Sequence, residues 1–182
     1  MRIAATIFAA SIATVPLAHA QAPAATPAAP PVPEVMPFDI PYGAPIGLDQ
    51  ANKAIIAAAA EAKKHNWKMS ITVVDQAGNL VAHATMDGTQ YASIPISQAK
   101  ARTAALFRRA SGLFQTSINS GSPNGLSLLA LNGGAASEGG FPIVIDGKLV
   151  GGIGVSGGIF TQDAVTAKAG LEAVTTQTPQ TK

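Results

Sequence analysis

Residues 139–163, GGFPIVIDGKLVGGIGVSGGIFTQD, decide the fold of this chain. Two apolar runs, Phe141–Ile145 and Leu149–Val155, flank Asp146-Gly147, a pair that favours a tight type I′ turn. The runs therefore predict an antiparallel hairpin. The second run leads into the glycine-rich bend Ser156-Gly157-Gly158, after which the pattern is typical of the start of a helix.

The rest of the chain predicts a second hairpin and further helices. The predicted segments are a helix over Leu48–Asn66, strands over Met69–Asp75 and Leu80–Thr85, a helix from about Ile94 to Ala110, a short helix over Ser111–Ile118, an apolar segment over Leu126–Leu131 that is too short to assign, and a final helix over Gln162–Thr175. Strands joined by short turns pair antiparallel, so this order of elements predicts an α+β fold and excludes a doubly wound sheet.

The first twenty residues predict a signal peptide. Arg2 gives a positive start, Ile3–Leu17 is an apolar run, and Ala18-His19-Ala20 is a cleavage site of the small-x-small type. The run is shorter than the ~20 residues that a membrane span needs, so we expect a periplasmic or secreted protein without stable membrane insertion. The remaining chain divides into an Ala/Pro-rich linker over 21–46, one domain over 47–176 and a disordered tail over 177–182.

Composition excludes several classes of function. The chain has 12 Lys+Arg and 10 Asp+Glu, a balance that gives no basis for binding nucleic acid. It has no cysteine, which excludes disulfides, thiolate catalysis and cysteine metal sites. The many small residues favour close backbone packing, and from this we expect a homo-oligomer.

Two catalytic patterns occur within residues 139–163, and both lack their required context. Gly152-x-Gly154-x-x-Gly157 matches a dinucleotide-binding loop, but it follows a hairpin strand and not the first strand of a βαβ unit. Gly154-x-Ser156-x-Gly158 matches a nucleophile elbow, but no histidine follows the serine as that arrangement requires. Bending and close backbone approach explain the glycines better. An anion site at free N–H groups near Gly158 and Thr161 stays open.

Basic residues concentrate in a part of the chain without acidic ones. No Asp or Glu occurs between Asp87 and Glu138. This interval contains four cations: Lys100, Arg102, Arg108 and Arg109. On the predicted helix, Arg102 and Arg109 share a face. Two interpretations are open, a solvated polar face and a positive wall that binds an anionic ligand.

His65 and His83 are the two imidazoles beyond the predicted signal peptide. His65 lies in the last turn of the first predicted helix, where a cation interacts favourably with the helix dipole. His83 lies on one face of the second predicted strand. For each residue, a structural role and a role as a metal ligand are both open.

Five motifs follow one another along the chain. They are Val73-Val74-Asp75-x-x-Gly78-Asn79-Leu80, Met86-Asp87-Gly88, Ser97-x-x-Lys100-Ala101-x-Thr103-Ala104, Gly139-Gly140-x-Pro142-Ile143, and Gly151-x-Ile153-Gly154-Val155-Ser156-Gly157-Gly158 with Gln162-Asp163. Together they resemble the GlcG/HbpS family of heme-binding proteins, whose domain also forms the C-terminal part of PduO-type corrinoid adenosyltransferases. The resemblance implies a profilin-like α/β/α sandwich with a central antiparallel sheet, oligomeric assembly, and heme binding in exported members.

The same resemblance implies heme as the cofactor and suggests where it would be held. The candidate iron ligands are His83, His65, Met86 and Tyr91. The candidates for the remaining heme contacts, including the propionates, are Thr89, Lys100, Arg102, Arg108 and Arg109. We therefore expect a protein that sequesters, senses or handles heme and is not an enzyme. The alternatives are an accessory module of the GlcG/PduO type for another small anionic ligand, and an enzyme that degrades heme.

The signal-peptide prediction is tested by the N-terminus of the exported protein. We expect mass spectrometry of material from the periplasm or medium to find a chain that begins at Gln21, because Ala18-His19-Ala20 fits a signal peptidase. Replacing Ala20 with a bulky residue should block cleavage. Exported protein that still carries Met1–Ala20 would contradict the prediction.

Overall fold

The computed structural model describes residues 31–122, 127 and 134–176. The helices and strands of regular length there are, in chain order, α1 Leu48–Lys64, β1 Ser70–Asp75, β2 Leu80–Thr85, α2 Ser93–Leu106, α3 Gly112–Asn119, β3 Gly140–Ile145, β4 Lys148–Ser156 and α4 Phe160–Thr175. Residues 1–30, the segment 126–131 apart from Ser127, and the tail 177–182 lie outside the described residues, so the predictions made for them stay predictions.

An antiparallel sheet with the strand order β2-β1-β4-β3 is the centre of the domain. Both predicted hairpins are present. Asp146 and Gly147 connect β3 to β4 with positive φ angles of 50° and 72°, as a type I′ turn requires. The Asp75 carboxylate accepts hydrogen bonds from the N–H groups of Ala77 and Asn79 in the other turn. The α+β prediction is confirmed.

Helices cover both faces of the sheet and make a three-layer sandwich. The alanine-rich side of α1 and the inner side of α4 pack on one face, where alternate strand residues such as Ile71, Val73 and Ile153 are fully buried. On the opposite face, Val74 packs against Ala101 and Ala105 of α2. The period of two in β1 thus separates an aliphatic face from one that carries Ser70 and Thr72.

Glycines of β4 allow α2 to lie very close to the sheet. A Cβ atom at Gly152 would lie 2.5 Å from the Ala101 carbonyl oxygen. A Cβ atom at Gly154 would overlap the Ser97 carbonyl oxygen and the Ala101 amide. The glycines of residues 139–163 therefore serve close packing, as the sequence indicated.

Helix α2 is shorter than predicted, and this changes the position of two arginines. The helix ends at Leu106 and not at Ala110. Arg108 has a left-handed backbone, with φ of 53°, which an α-helix does not permit. The prediction that Arg102 and Arg109 share a helical face is therefore wrong, because Arg109 lies beyond the helix.

Residues 41–46, which we assigned to the linker, lie along the start of β4. The Leu149 N–H donates to the Pro41 carbonyl at 2.8 Å, and the Ile46 N–H donates to the Val150 carbonyl at 2.9 Å. β1 ends opposite Gly151, so the residues of β4 before Gly151 have no partner in β1. The segment 41–46 forms hydrogen bonds with these residues instead. Ile46 is only 3% exposed and belongs to the core.

The close approach of α2 predicts a large difference between two glycine substitutions. Gly154→Ala should lower the free energy of unfolding by at least about 3 kcal/mol, because the new methyl group meets helix backbone that must move. Gly47→Ala is the matched control, since no atom lies within 4 Å of the added Cβ, and it should cost about 1 kcal/mol or less. Urea unfolding measures both, and equal effects would contradict the packing argument.

Candidate functional site

Lys100 forms a buried ion pair with Asp163 and is not part of a surface wall. Its Nζ atom donates to Asp163 Oδ2 at 2.7 Å and to the Val155 carbonyl at 3.0 Å, and its side chain is 1% exposed. Burial lowers the pKa of Lys100 and raises the pKa of Asp163, while the attraction between the two charges opposes both shifts. The positive wall proposed from sequence thus loses one of its four cations to the interior.

Asp163 and Gln162 also close the glycine bend that precedes α4. Asp163 Oδ1 accepts the Gly158 N–H at 3.0 Å, and Gln162 Oε1 accepts the Ile159 N–H at 3.0 Å. A carboxylate of the chain itself therefore occupies the Gly158 position that we left open for an external anion. This explains physically why the bend and the following Gln-Asp pair occur together in the sequence.

The three arginines contact two parts of the protein, the β1–β2 turn and residues 38–42. Arg102 Nη1 donates to the Gly78 carbonyl at 2.8 Å, and Arg108 Nη1 donates to the Ile40 carbonyl at 2.9 Å. Arg109 lies over the rings of Phe38 and Phe114, at 4.4 and 4.6 Å from their centroids. Burial lowers the pKa of Arg109. Arg108 and Arg109 thus both contact residues 38–42, whereas Arg102 binds the β1–β2 turn. The binding of a ligand by these cations stays a prediction.

The two histidines are held in different ways. His83 is half-buried, with Nδ1 at 2.8 Å from Thr72 Oγ1 and Nε2 at 2.9 Å from Thr85 Oγ1. Both ring nitrogens thus have hydroxyl partners, and we do not include His83 among the iron ligands below. His65 Nε2 lies 3.0 Å from Glu61 Oε1, and its ring stacks on Trp67 with the centroids 4.3 Å apart.

Met86, Thr89 and Tyr91 occupy one connection but have different surroundings. Met86 is partly buried and packs against the aliphatic core. The Thr89 hydroxyl donates to the Met86 carbonyl at 2.7 Å and stabilises the turn. Tyr91 is 89% exposed. Of these three predicted residues, Met86 alone lines the cleft described next.

A cleft opens where α1 ends and β2 leaves the sheet. Its volume is about 370 Å³. We call it the Trp67 cleft, and its lining residues are Ala59, Lys63, Asn66, Trp67, Lys68, Thr85, Met86 and Asp87. An adjoining cavity of about 310 Å³ shares Asn66, Trp67 and Lys68 with it and extends to Gly157, Gly158 and Gln162. The cleft combines an indole ring, a thioether, two lysines and one carboxylate, that of Asp87.

Sequence reasoning missed Lys63, Trp67 and Lys68 as site residues. Lys63 lies on the exposed side of α1, where charged residues are common, and Trp67-Lys68 lies in the short connection between α1 and β1. Asn66, with φ of 57°, ends the helix and turns this connection towards the Met86 turn. The available signal was the single tryptophan of the chain beside a lysine at a helix end.

Comparison with known proteins identifies the family. The family model described as "Haem degrading protein HbpS-like" matches residues 46–172. The chain belongs to the HbpS-like family. Protein GlcG of Escherichia coli K12 is 44% identical over 108 residues, which cover 59% of this chain and 78% of GlcG.

Solved structures of the HbpS-like fold agree with this assignment. A double mutant of Streptomyces reticuli HbpS has a TM-score of 0.67 and 28% identity, covering 81% of this chain and 99% of that one. A PduOC:heme complex has a TM-score of 0.66 at 24% identity, covering 73% and 99%, and shows the shared fold. The resemblance stated from the sequence motifs is confirmed.

Two further properties of the described residues bear on the site. Within residues 31–122, 127 and 134–176, no group of three or more His, Cys, Asp or Glu side chains is placed to hold a metal ion. Over the same part of the chain, no helix combines the length and the hydropathy needed to cross a membrane.

The buried ion pair predicts a non-additive response to mutation. Lys100→Met should lower the free energy of unfolding by about 3–5 kcal/mol, because it leaves the Asp163 carboxylate buried without its partner. Adding Asp163→Asn should restore much of the loss, since the amide oxygen still accepts the Gly158 N–H and no charge stays buried.

A surface pair provides the control for this double-mutant cycle. Lys64 pairs with Glu61 at 2.7 Å on the exposed side of α1, so Lys64→Met should change stability little. Denaturant unfolding of five proteins measures the comparison: the wild type, Lys100→Met, Asp163→Asn, their double variant and Lys64→Met. Equal effects of Lys100→Met and Lys64→Met would show that the buried pair has no special role.

Proposed function

We propose that this protein is an exported heme-binding protein that holds heme at the Trp67 cleft and acts in heme sequestration, sensing or handling. The observation that carries the proposal is the joint presence of Trp67, Met86, Lys63 and Lys68 around one cleft. Apolar surface, a soft sulfur ligand and two cations are what an amphipathic iron porphyrin with two carboxylates requires.

The residues of the cleft fit heme group by group. The Trp67 indole and Ala59 offer apolar surface to a porphyrin plane. The thioether of Met86 is a ligand that heme iron accepts. Lys63 and Lys68 are exposed and suited to the propionates. Bound heme would supply a redox-active iron, and the chain's own residues would bind and orient it.

The comparisons support a heme-related function in general terms. The family is described as haem-degrading, and the similar PduOC structure is a complex with heme. The apolar N-terminal run with Ala18-His19-Ala20 supports export to the periplasm or beyond. The abundance of small residues supports a homo-oligomer.

One alternative function has a specific observation in its favour. The alternative is an accessory module of the GlcG/PduO type that binds a small anionic ligand other than heme, and the two lysines of the Trp67 cleft favour it. Lys63 and Lys68 would serve a small carboxylate equally well, whereas Trp67 and Met86 would then have no ligand role. Heme degradation, which the family description names, would use the same cleft and differ in the fate of the bound heme.

Hemin titration of the purified protein tests the proposal. We expect a saturable shift of the Soret band at micromolar protein. Lys63→Gln together with Lys68→Gln should weaken hemin binding at least about fivefold, because two charge-assisted contacts to propionates are lost. Met86→Leu conserves volume and should change the position of the Soret band if sulfur contacts the iron.

Lys148→Gln is the control for the lysine variants. Lys148 is exposed in the β3–β4 hairpin, away from the cleft lining, so its substitution should leave hemin affinity unchanged. No saturable shift, or equal weakening by Lys148→Gln, would refute heme binding at this cleft. Loss of the Soret band with reductant and oxygen, accompanied by iron release, would identify degradation, whereas a stable band would support binding alone.

A further inference from the structure

Five polar side chains form a closed hydrogen-bonded ring between β1, β2 and α2. The ring runs through His83, Thr72, Ser97, Ser70 and Thr85. In that order its contacts are 2.8 Å from His83 Nδ1 to Thr72, 2.9 Å from Thr72 to Ser97, 3.3 Å from Ser97 to Ser70, 3.2 Å from Ser70 to Thr85 and 2.9 Å from Thr85 to His83 Nε2. Ser97 also donates to the Ile94 carbonyl at 2.9 Å.

The number of hydrogen-bond donors in the five-residue ring depends on whether His83 is neutral or protonated. There are six contacts, and the four hydroxyl groups supply one proton each. A neutral imidazole adds one proton, which leaves one contact without a donor. An imidazolium adds two, and every contact is then satisfied. In that state both ring N–H groups of His83 donate, and Thr85 donates onward to Ser70.

No charged side chain on these elements pairs with His83. β2 has no other ionisable residue. On β1 the one carboxylate is Asp75, which accepts hydrogen bonds within its own turn. On α2 the cations are Lys100, which pairs with Asp163, and Arg102, which donates to the Gly78 carbonyl. Burial lowers the pKa of His83. The His83 imidazole is therefore neutral at neutral pH and gains its second proton in acid.

Thr85 joins this ring to the Trp67 cleft, because its side chain bonds to His83 and the residue lines the cleft beside Met86. We propose that His83 is a proton switch behind the wall of the Trp67 cleft. Its protonation completes the ring and places a positive charge one hydrogen bond behind Thr85, so an anionic ligand binds more tightly in acid. This inference rests on the proposed function for its ligand, but the proton switch itself is a property of the ligand-free protein.

NMR titration of the histidine side chains tests the switch without any ligand. The His83 signal is assigned by its loss in His83→Gln, and the purified protein is titrated over about pH 4 to 8. We expect a midpoint below the ordinary value of 6.5. Ser97→Ala should lower the midpoint by a further ~0.5–1 pH unit. Without Ser97, the hydrogen-bonded contacts that remain all have a donor while the His83 imidazole is neutral, so protonation no longer completes a missing hydrogen bond.

Thr85→Val provides a second variant should Ser97→Ala fold poorly. It removes the partner of His83 Nε2 at an exposed position and should lower the midpoint in the same direction. A midpoint that neither substitution moves would overturn the inference, because a purely structural histidine would not respond to the number of donors in the ring.

Hemin then tests the coupling to the cleft. Hemin affinity of the wild-type protein should rise about threefold to tenfold as the pH falls through the His83 midpoint, beyond the change seen with His83→Gln. Propionate protonation is common to both proteins and cancels in this comparison. Identical pH profiles would overturn the coupling. Absence of hemin binding at every pH would overturn the proposed function instead, and the NMR midpoints would still decide the switch.

Discussion

The fold depends on the contact between α2 and the glycines of β4. With no side chains at Gly152 and Gly154, the helix backbone lies against the strand itself, and small residues such as Ala101 fill the remaining space. At this distance a side chain on the helix has little freedom. Lys100 is therefore buried and directed at Asp163, which in turn holds the bend that starts α4. One close approach thus fixes the helix, the bend and the last helix together.

The regular elements were predictable because their signals are local. The Asp146-Gly147 turn and the period of two in β1 are properties of a few adjacent residues, and both agree with the structure. The end of α2 was not predictable in the same way. The residues after Leu106 are compatible with a helix, and it is Arg108, in the left-handed region, that redirects the chain. Likewise, the sequence of Pro41–Ile46 is typical of a linker. Its role becomes visible only in the structure, where it forms hydrogen bonds with the first residues of β4.

The site was harder to predict because it is made by residues distant in sequence. Met86 was found through its motif, whereas Lys63, Trp67 and Lys68 become site residues only when the end of α1 meets the turn after β2. The basic residues between Asp87 and Glu138 were predicted to form one site, and the structure does not support this. These cations are close in sequence, but Lys100 faces the interior and Arg109 lies among aromatic rings. The sequence shows which charged side chains are present, but packing decides whether each side chain faces the interior or the solvent.

The position of Trp67 has a consequence for optical measurement. It is the single tryptophan of the chain, it stacks on His65, and it lines the cleft and the adjoining cavity alike. The indole emission of the whole protein therefore comes from one place. A ligand that enters there alters that emission directly, and an absorbing ligand quenches it at short range. The molecule thus carries an intrinsic fluorescent reporter at the wall of this cleft.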